Sequence, residues 1–215
     1  MDLISNFQSL IFNFSNLAAK SIVIIEFLKD IDTQLFLFLN GLHTPFFDVL
    51  FEYFSGRFFW IPLYALLFVI ATLKLKWKMM YFILAVVALI FLSDKISVYW
   101  FKEVFMRYRP CHNNDIAHLI HLVDGCGGKY GFVSSHAANT FALAAFMGII
   151  LRKHFPKMLL WMLVWATVVS YSRIYLGVHY PADIAVGGML GILIGYAVAF
   201  ILKKLNDKLT LKMDI

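Results

Sequence analysis

Five long stretches without a charged residue constrain the fold of this chain more than any other feature of its sequence. Each stretch has 15 to 21 residues, close to the ~20 that a helix needs to cross the hydrocarbon layer of a bilayer. Lipid leaves only helices and closed barrels as spanning structures, and these stretches lack the alternation of barrel strands. They cover residues 58–73, 79–93, 131–151, 158–172 and 184–202. We therefore predict an all-α fold, a polytopic transmembrane helical bundle with five clear spans.

The rest of the chain is assigned around these spans. Residues are 61% hydrophobic and only 15% charged, whereas soluble domains carry roughly a quarter charged residues. We predict a transmembrane core at residues 57–205 and a cytoplasmic tail at 206–215. Residues 1–56 are expected to form amphipathic or interfacial helices, one of which would add a sixth span if it crosses. The start of the chain lacks the basic region of a cleavable signal peptide.

The net charge of +6 is a topology signal and not evidence for a nucleic-acid partner. Its basic residues cluster after the first, third and fifth spans, so all three clusters lie on one side of the membrane. They are Lys74, Lys76 and Lys78; Arg152, Lys153 and Lys157; and Lys203, Lys204, Lys208 and Lys212. The positive-inside tendency makes this side cytoplasmic. We expect a multi-pass protein of the cell (inner) membrane, with segments 102–130 and 173–183 facing the periplasm or outside.

These two outward segments hold ionisable groups that suit a phosphate reaction. Three cations, Lys102, Arg109 and Arg173, offer donors for the oxygens of a tetrahedral dianion. Ser134, Ser135 and His136 open the third span, where free N–H groups and the helix dipole favour an anion.

Two histidines then remain, as a nucleophile and a general acid would require. Pro181 is expected to start the fifth helix, which puts His179 just before it and Asp183 in its first turn, within reach of the imidazole. No dense set of carboxylates is present to hold a metal. We therefore expect phosphoryl transfer through phosphohistidine without a metal or other cofactor.

Three segments of this face resemble the signature motifs of the type 2 phosphatidic acid phosphatase (PAP2) superfamily in order and spacing. They are Lys102-x6-Arg109-Pro110, then Ser134-x-His136, then Ser172-Arg173-x5-His179-x3-Asp183. The resemblance implies that His179 is the nucleophile, Asp183 its partner and His136 the acid that protonates the leaving group. It also implies that Lys102, Arg109, Ser134 and Arg173 bind the phosphate.

The second motif departs from the family pattern, which has glycine where this chain has Ser135. A serine keeps the backbone N–H, so Ser135 is still expected to bind phosphate, and the change marks a subgroup with its own substrate. The resemblance suggests undecaprenyl diphosphate as the substrate. Lipid A, phosphatidylglycerophosphate or phosphatidate, or transfer to another lipid, remain alternatives, as does a non-catalytic lipid transporter. The oligomeric state stays open.

Other polar residues of the outward loop have less specific interpretations. Arg107 suits an anchor or a headgroup contact as well as catalysis. His112, His118 and His121 do not have convincing zinc spacing, and residues 116–123 are better interpreted as a short amphipathic helix at the interface. Cys111 and Cys126 form an even pair in a loop expected to face an oxidising compartment, which predicts a disulfide; two free thiols are the alternative.

Overall fold

The computed structural model describes the backbone of residues 2–211, 213 and 215, and the side chains of residues 20–76, 78–211, 213 and 215. The described chain is helical and forms no strand, only a bridge between Tyr108 and Tyr130. Its helices are α1 (Asp2–Asn40), α2 (Pro45–Ser55), α3 (Ile61–Leu75), α4 (Met79–Phe105), α5 (Ser135–Ile150), α6 (Met158–Tyr175) and α7 (Pro181–Lys208). The last part of α4 includes a π-helical segment, Ile96–Lys102.

The five uncharged stretches correspond to helices α3 to α7, and the predicted all-α transmembrane bundle is confirmed. Among the described residues, α4, α6 and α7 are long and apolar enough to cross a membrane. Helices α3 and α5 are apolar but shorter, with 15 and 16 residues. Helix α5 is the most enclosed of the five helices α3 to α7, since it packs against α4, α6 and α7.

Close packing between α5 and α7 brings the two ends that carry the signature motifs together. Gly187, Gly191 and Gly195 recur every fourth residue on α7, and a side chain at any of them would clash with α5. A Cβ at Gly187 would lie 2.7 Å from the carbonyl oxygen of Ser134. Small residues at this spacing allow helix backbones to approach closely in membranes. As a result, the N–H of Ser134 donates to the carbonyl oxygen of Asp183 at 3.0 Å.

The N-terminal region packs against the bundle through one face of α1. Asp32, Phe36 and Asn40 are buried and recur every fourth residue, so they share that face. Asn40 donates to the carbonyl oxygens of Tyr175 at 2.7 Å and His121 at 2.9 Å. A membrane crossing by α1 remains a prediction. The boundaries of the transmembrane core, after residue 56 and at residue 205, also remain predictions. Lys212 of the third basic cluster lies outside the described residues.

The interfacial helix predicted for residues 116–123 is shorter than expected. It consists of one 3-10 turn, Ala117–Leu119, after which the chain is extended at Ile120. Asn40 explains this, because its amide holds both backbone groups of His121: it accepts from the N–H and donates to the carbonyl, each at 2.9 Å. These groups are therefore not available to continue a helix.

Candidate active site

The predicted site residues lie on four helix ends and the loop between α4 and α5. Lys102 is near the end of α4, and Arg109 follows in the loop. Ser134, Ser135 and His136 begin α5, and Arg173 lies in the last turn of α6. His179 and Asp183 flank Pro181, where α7 begins as predicted. The structure thus brings the residues of all three motifs to one end of the bundle.

His179 and Asp183 form a buried pair. The Nδ1 atom of His179 lies 3.3 Å from Oδ2 of Asp183, which also accepts from the N–H of Tyr180 at 3.0 Å. Burial, reinforced by the positive charges of Arg109 and Arg173, holds the pKa of His179 well below its usual value. A neutral imidazole whose Nδ1–H donates a hydrogen bond to Asp183 keeps its lone pair on Nε2. This is the form that a nucleophilic histidine needs.

The start of α5 provides a second group of donors. The hydroxyl of Ser134 accepts from the N–H of Ala137 and caps the helix. The N–H groups of Ser135 and His136 belong to the first turn, which no carbonyl of the same helix can satisfy. His136 is exposed, whereas Ser134 is fully buried. An anion placed here would meet free donors and an accessible imidazole together.

The three cations are held by different parts of the chain. Arg109 donates from Nη1 to the carbonyl of Cys126 at 3.1 Å. Arg173 donates from Nη1 to the hydroxyl of Ser55 at the end of α2, and its buried Nε has no partner among the described residues. A buried guanidinium N–H without an acceptor is costly. Arg173 is therefore suited to an oxyanion, which would satisfy this group.

The side chain of Ser135 makes contacts that the family glycine could not make. Its hydroxyl accepts from Nζ of Lys102 at 2.7 Å and lies 2.7 Å from the hydroxyl of Ser97 on α4. The side chain that replaces the family glycine therefore holds the lysine of the first motif. A glycine at this position would offer Lys102 no such acceptor.

We expect Ser135→Ala to lower kcat/KM about five- to thirtyfold. Losing the acceptor of a charged hydrogen bond corresponds to about 1 to 2 kcal/mol. Steady-state kinetics on a lipid phosphate would measure this, with Ser97→Ala as the control because Ser97 touches Ser135 but not Lys102. An unchanged kcat/KM for Ser135→Ala would show that the hydroxyl does not position Lys102.

The loop between α4 and α5 is closed by a disulfide between Cys111 and Cys126, whose Cα atoms are 5.9 Å apart. Within this loop, the N–H of Arg109 donates to the carbonyl of Lys129, and the N–H of Gly131 donates to the carbonyl of Arg107. In such extended pairing, alternate side chains share a face. Arg107 and Arg109 therefore both point towards the site.

Two residues with contacts to the site were not identified from the sequence. Asp32 on α1 accepts hydrogen bonds from Arg107 and from the N–H of Ala182, and Ser55 on α2 holds Arg173. Neither belongs to a motif, and each is far in sequence from its partner. Of the loop histidines, His121 lies 2.9 Å from Asp48 on α2.

Known proteins resemble this chain in sequence and in fold. The PAP2 superfamily model matches residues 78–207. A lipid A 4'-phosphatase of Bacteroides thetaiotaomicron is 39% identical over 188 residues, covering 86% of this chain and 83% of that protein. Another from Porphyromonas gingivalis is 35% identical, covering 81% and 74%.

Solved structures share the fold. The crystal structure of Aquifex aeolicus LpxE has a TM-score of 0.55 and 25% identity, and covers 77% of this chain and 93% of its own. A PAP2-type phosphatidylglycerolphosphate phosphatase from Bacillus subtilis has a TM-score of 0.60 at 22% identity, covering 84% and 87%. The motifs, their assembly at one end of the bundle and these matches agree: the chain belongs to the PAP2 superfamily of membrane lipid phosphatases.

Proposed function

We propose that this protein removes the 4'-phosphate of lipid A. The observation that carries the proposal is the 39% identity to the Bacteroides thetaiotaomicron lipid A 4'-phosphatase over 188 residues. That match is longer than the family segment at residues 78–207, so it includes sequence outside the shared phosphatase core. The Porphyromonas gingivalis enzyme with the same activity in its name supports it independently.

The site supports hydrolysis of a phosphate monoester in two steps. Nε2 of His179 attacks phosphorus, and the bond to the leaving oxygen breaks while His136 protonates that oxygen. Lys102, Arg109 and Arg173 bind the equatorial oxygens, whose charge develops in the transition state. Water then attacks the phosphohistidine, and neutral His136 takes its proton, which releases inorganic phosphate and restores both histidines.

The orientation proposed for the site is away from the cytoplasm. Lys74, Arg152 and Lys203 lie at or near the opposite ends of α3, α5 and α7 from the motif residues. Basic residues collect on the cytoplasmic side. A periplasmic or outward site is also the setting in which a disulfide between Cys111 and Cys126 persists.

An apolar cavity inside the bundle suits a lipid substrate. It has a volume of about 530 Å³ and lies between α3, α4, α5 and α6. Thr140, which lines it, donates to the carbonyl oxygen of His136 at 2.8 Å. The cavity therefore begins one helical turn below the proposed acid, where it can receive part of a hydrocarbon chain whose phosphate lies above.

Undecaprenyl diphosphate is the second candidate, because an undecaprenyl-diphosphatase of Sulfolobus acidocaldarius is 28% identical over 78% of this chain. The resemblance of the motifs to the superfamily, and not a feature of the motifs themselves, suggests this substrate. They bind the phosphate and not the tail, so they do not distinguish it from lipid A. The longer and closer match to two lipid A 4'-phosphatases makes lipid A the better proposal.

Phosphate release by the purified protein from a panel of lipids tests this function. The panel contains lipid A, undecaprenyl diphosphate, phosphatidate and phosphatidylglycerophosphate, each with a chelator and without added metal. We expect the fastest release from lipid A, with mass spectrometry placing the loss at the 4' position, and no effect of the chelator. His179→Ala is the inactive reference.

Three results would contradict the proposal. Faster release from undecaprenyl diphosphate than from lipid A would make undecaprenyl diphosphate the substrate and leave the proposed reaction unchanged. Inhibition by the chelator, reversed by a divalent cation, would overturn the metal-free mechanism. Release from none of the four lipids would favour the non-catalytic transporter.

A further inference from the structure

Arg107 connects the buried carboxylate of the nucleophile pair to helix α1. Its Nη1 donates to Oδ1 of Asp183 at 3.1 Å, and its Nη2 donates to Oδ2 of Asp32 at 2.7 Å. Its guanidinium carbon lies 4.0 Å from the centre of the Tyr180 ring. The two arms of one planar group are thus divided between two carboxylates. A lysine has a single ammonium and cannot reproduce this fork.

Asp32 has a second contact that fixes its position. Its Oδ1 accepts from the N–H of Ala182 at 2.8 Å, in the first turn of α7. One carboxylate therefore holds both the start of the helix that carries Asp183 and the arginine that contacts Asp183. These contacts join α1, the loop after α4 and α7 across 75 to 150 residues of sequence.

The two carboxylate oxygens of Asp183 have different partners, and this links Arg107 to the nucleophile. Oδ2 faces Nδ1 of His179, and Oδ1 faces Arg107. The Asp183 side chain has no exposed surface, and among the described residues Arg107 is the arginine or lysine that forms an ion pair with it. A buried carboxylate without a paired charge is strongly disfavoured. Arg107 therefore keeps Asp183 ionised and in the rotamer that orients His179.

We propose that Arg107 and Asp32 are positioning residues for the nucleophile, acting through Asp183 and not on the substrate. The chain Asp32–Arg107–Asp183–His179 makes α1 a part of the active site. Arg107 thus differs from Arg109, two residues away, whose guanidinium donates to the carbonyl oxygens of Cys126 and Tyr130. The role rests on the phosphatase function proposed above, whichever lipid carries the phosphate.

The test separates the rate of reaction from phosphate binding. We expect Arg107→Lys to lower kcat up to roughly 100-fold, since small displacements of reacting groups cost that much. KM and the inhibition constant of inorganic phosphate should stay within about twofold, because Lys102, Arg109 and Arg173 are untouched. Asp32→Asn keeps an acceptor for Ala182 and should lower kcat about tenfold, since Asp32 acts one step further away.

A double-mutant cycle shows whether the two residues act as one unit. Adding Asp32→Asn to Arg107→Lys should cause little further loss, because the first change has already broken the chain. Asp30→Asn, on the exposed side of α1, and Arg152→Lys, at the other end of the bundle, are matched controls expected to leave kcat unchanged. Turnover by the wild type tests the proposed function, whereas the ratio of kcat between variant and wild type tests the positioning role.

Three outcomes would overturn the inference. A lower melting temperature with unchanged kcat in both variants would mean that the contacts only stabilise the fold. A rise in KM and in the phosphate inhibition constant with constant kcat would make Arg107 a headgroup ligand. Losses that multiply in the double variant would mean that Asp32 and Arg107 act separately.

Discussion

Replacing His179 with glutamine is expected to abolish phosphate release, with a loss in kcat on the order of 10⁴-fold or more. Glutamine has nearly the same reach but no nucleophilic nitrogen, so phosphohistidine cannot form. The buried, neutral imidazole next to Asp183 is the basis of this expectation. Rapid quenching of the wild type with ³²P-labelled substrate should trap a phosphoenzyme that is stable in base and labile in acid.

The same quench on His179→Gln should trap no label, while inorganic phosphate still binds to the three cations. His118→Gln is the matched control, since His118 is an exposed histidine of the loop between α4 and α5. It should release phosphate at the wild-type rate. A phosphoenzyme of normal amount in His179→Gln would show that another residue is the nucleophile. Normal turnover without any trapped label would favour direct attack by water.

The part of the site that follows from sequence is the part encoded by local chemistry at helix ends. Pro181 sets the start of α7, which puts Asp183 in its first turn and four residues after His179. Ser134 is a favoured capping residue directly before an apolar run, and it caps α5. In each case, one short segment determines both the helix end and the functional side chain on it.

The part that does not follow from sequence depends on contacts between distant segments. Asp32 looks no different from Asp30 in the sequence, yet one is buried against Arg107 and the other is exposed. Their difference is only the face of α1 that they occupy. Asn40 likewise shortens the predicted loop helix by binding His121, 81 residues away. Such pairings are set by the packing of α1 on the bundle, which no local pattern encodes.

Ser135 lies between these two cases. Its place in the second motif follows from spacing, and its backbone N–H lies in the first turn of α5, where the family glycine would offer the same donor. Its hydroxyl instead bonds to Lys102, on another helix. Two members of a family can therefore share the position of a motif residue and still differ in whether its backbone or its side chain makes a contact.

The second large effect is expected at His136, and it should depend on the leaving group. His136 lies in the first turn of α5 with an exposed side chain, where it can protonate the oxygen that leaves a lipid phosphate. Loss of a general acid typically costs roughly 10²- to 10⁴-fold. We expect His136→Asn to lose this much on the lipid substrate. With p-nitrophenyl phosphate the leaving phenolate needs no proton, so formation of the phosphoenzyme should be nearly normal.

Because the proposed mechanism also assigns to His136 the activation of the water that cleaves phosphohistidine, the two steps must be measured separately. His136→Asn should give a burst of p-nitrophenol close to one per enzyme, followed by slow turnover as the phosphoenzyme accumulates. The lipid substrate should give no burst. His118→Gln, at an exposed position of the loop between α4 and α5, provides the control and should keep both the burst and the turnover. Equal loss of the burst with both substrates would mean that His136 binds the phosphate and does not act as the acid.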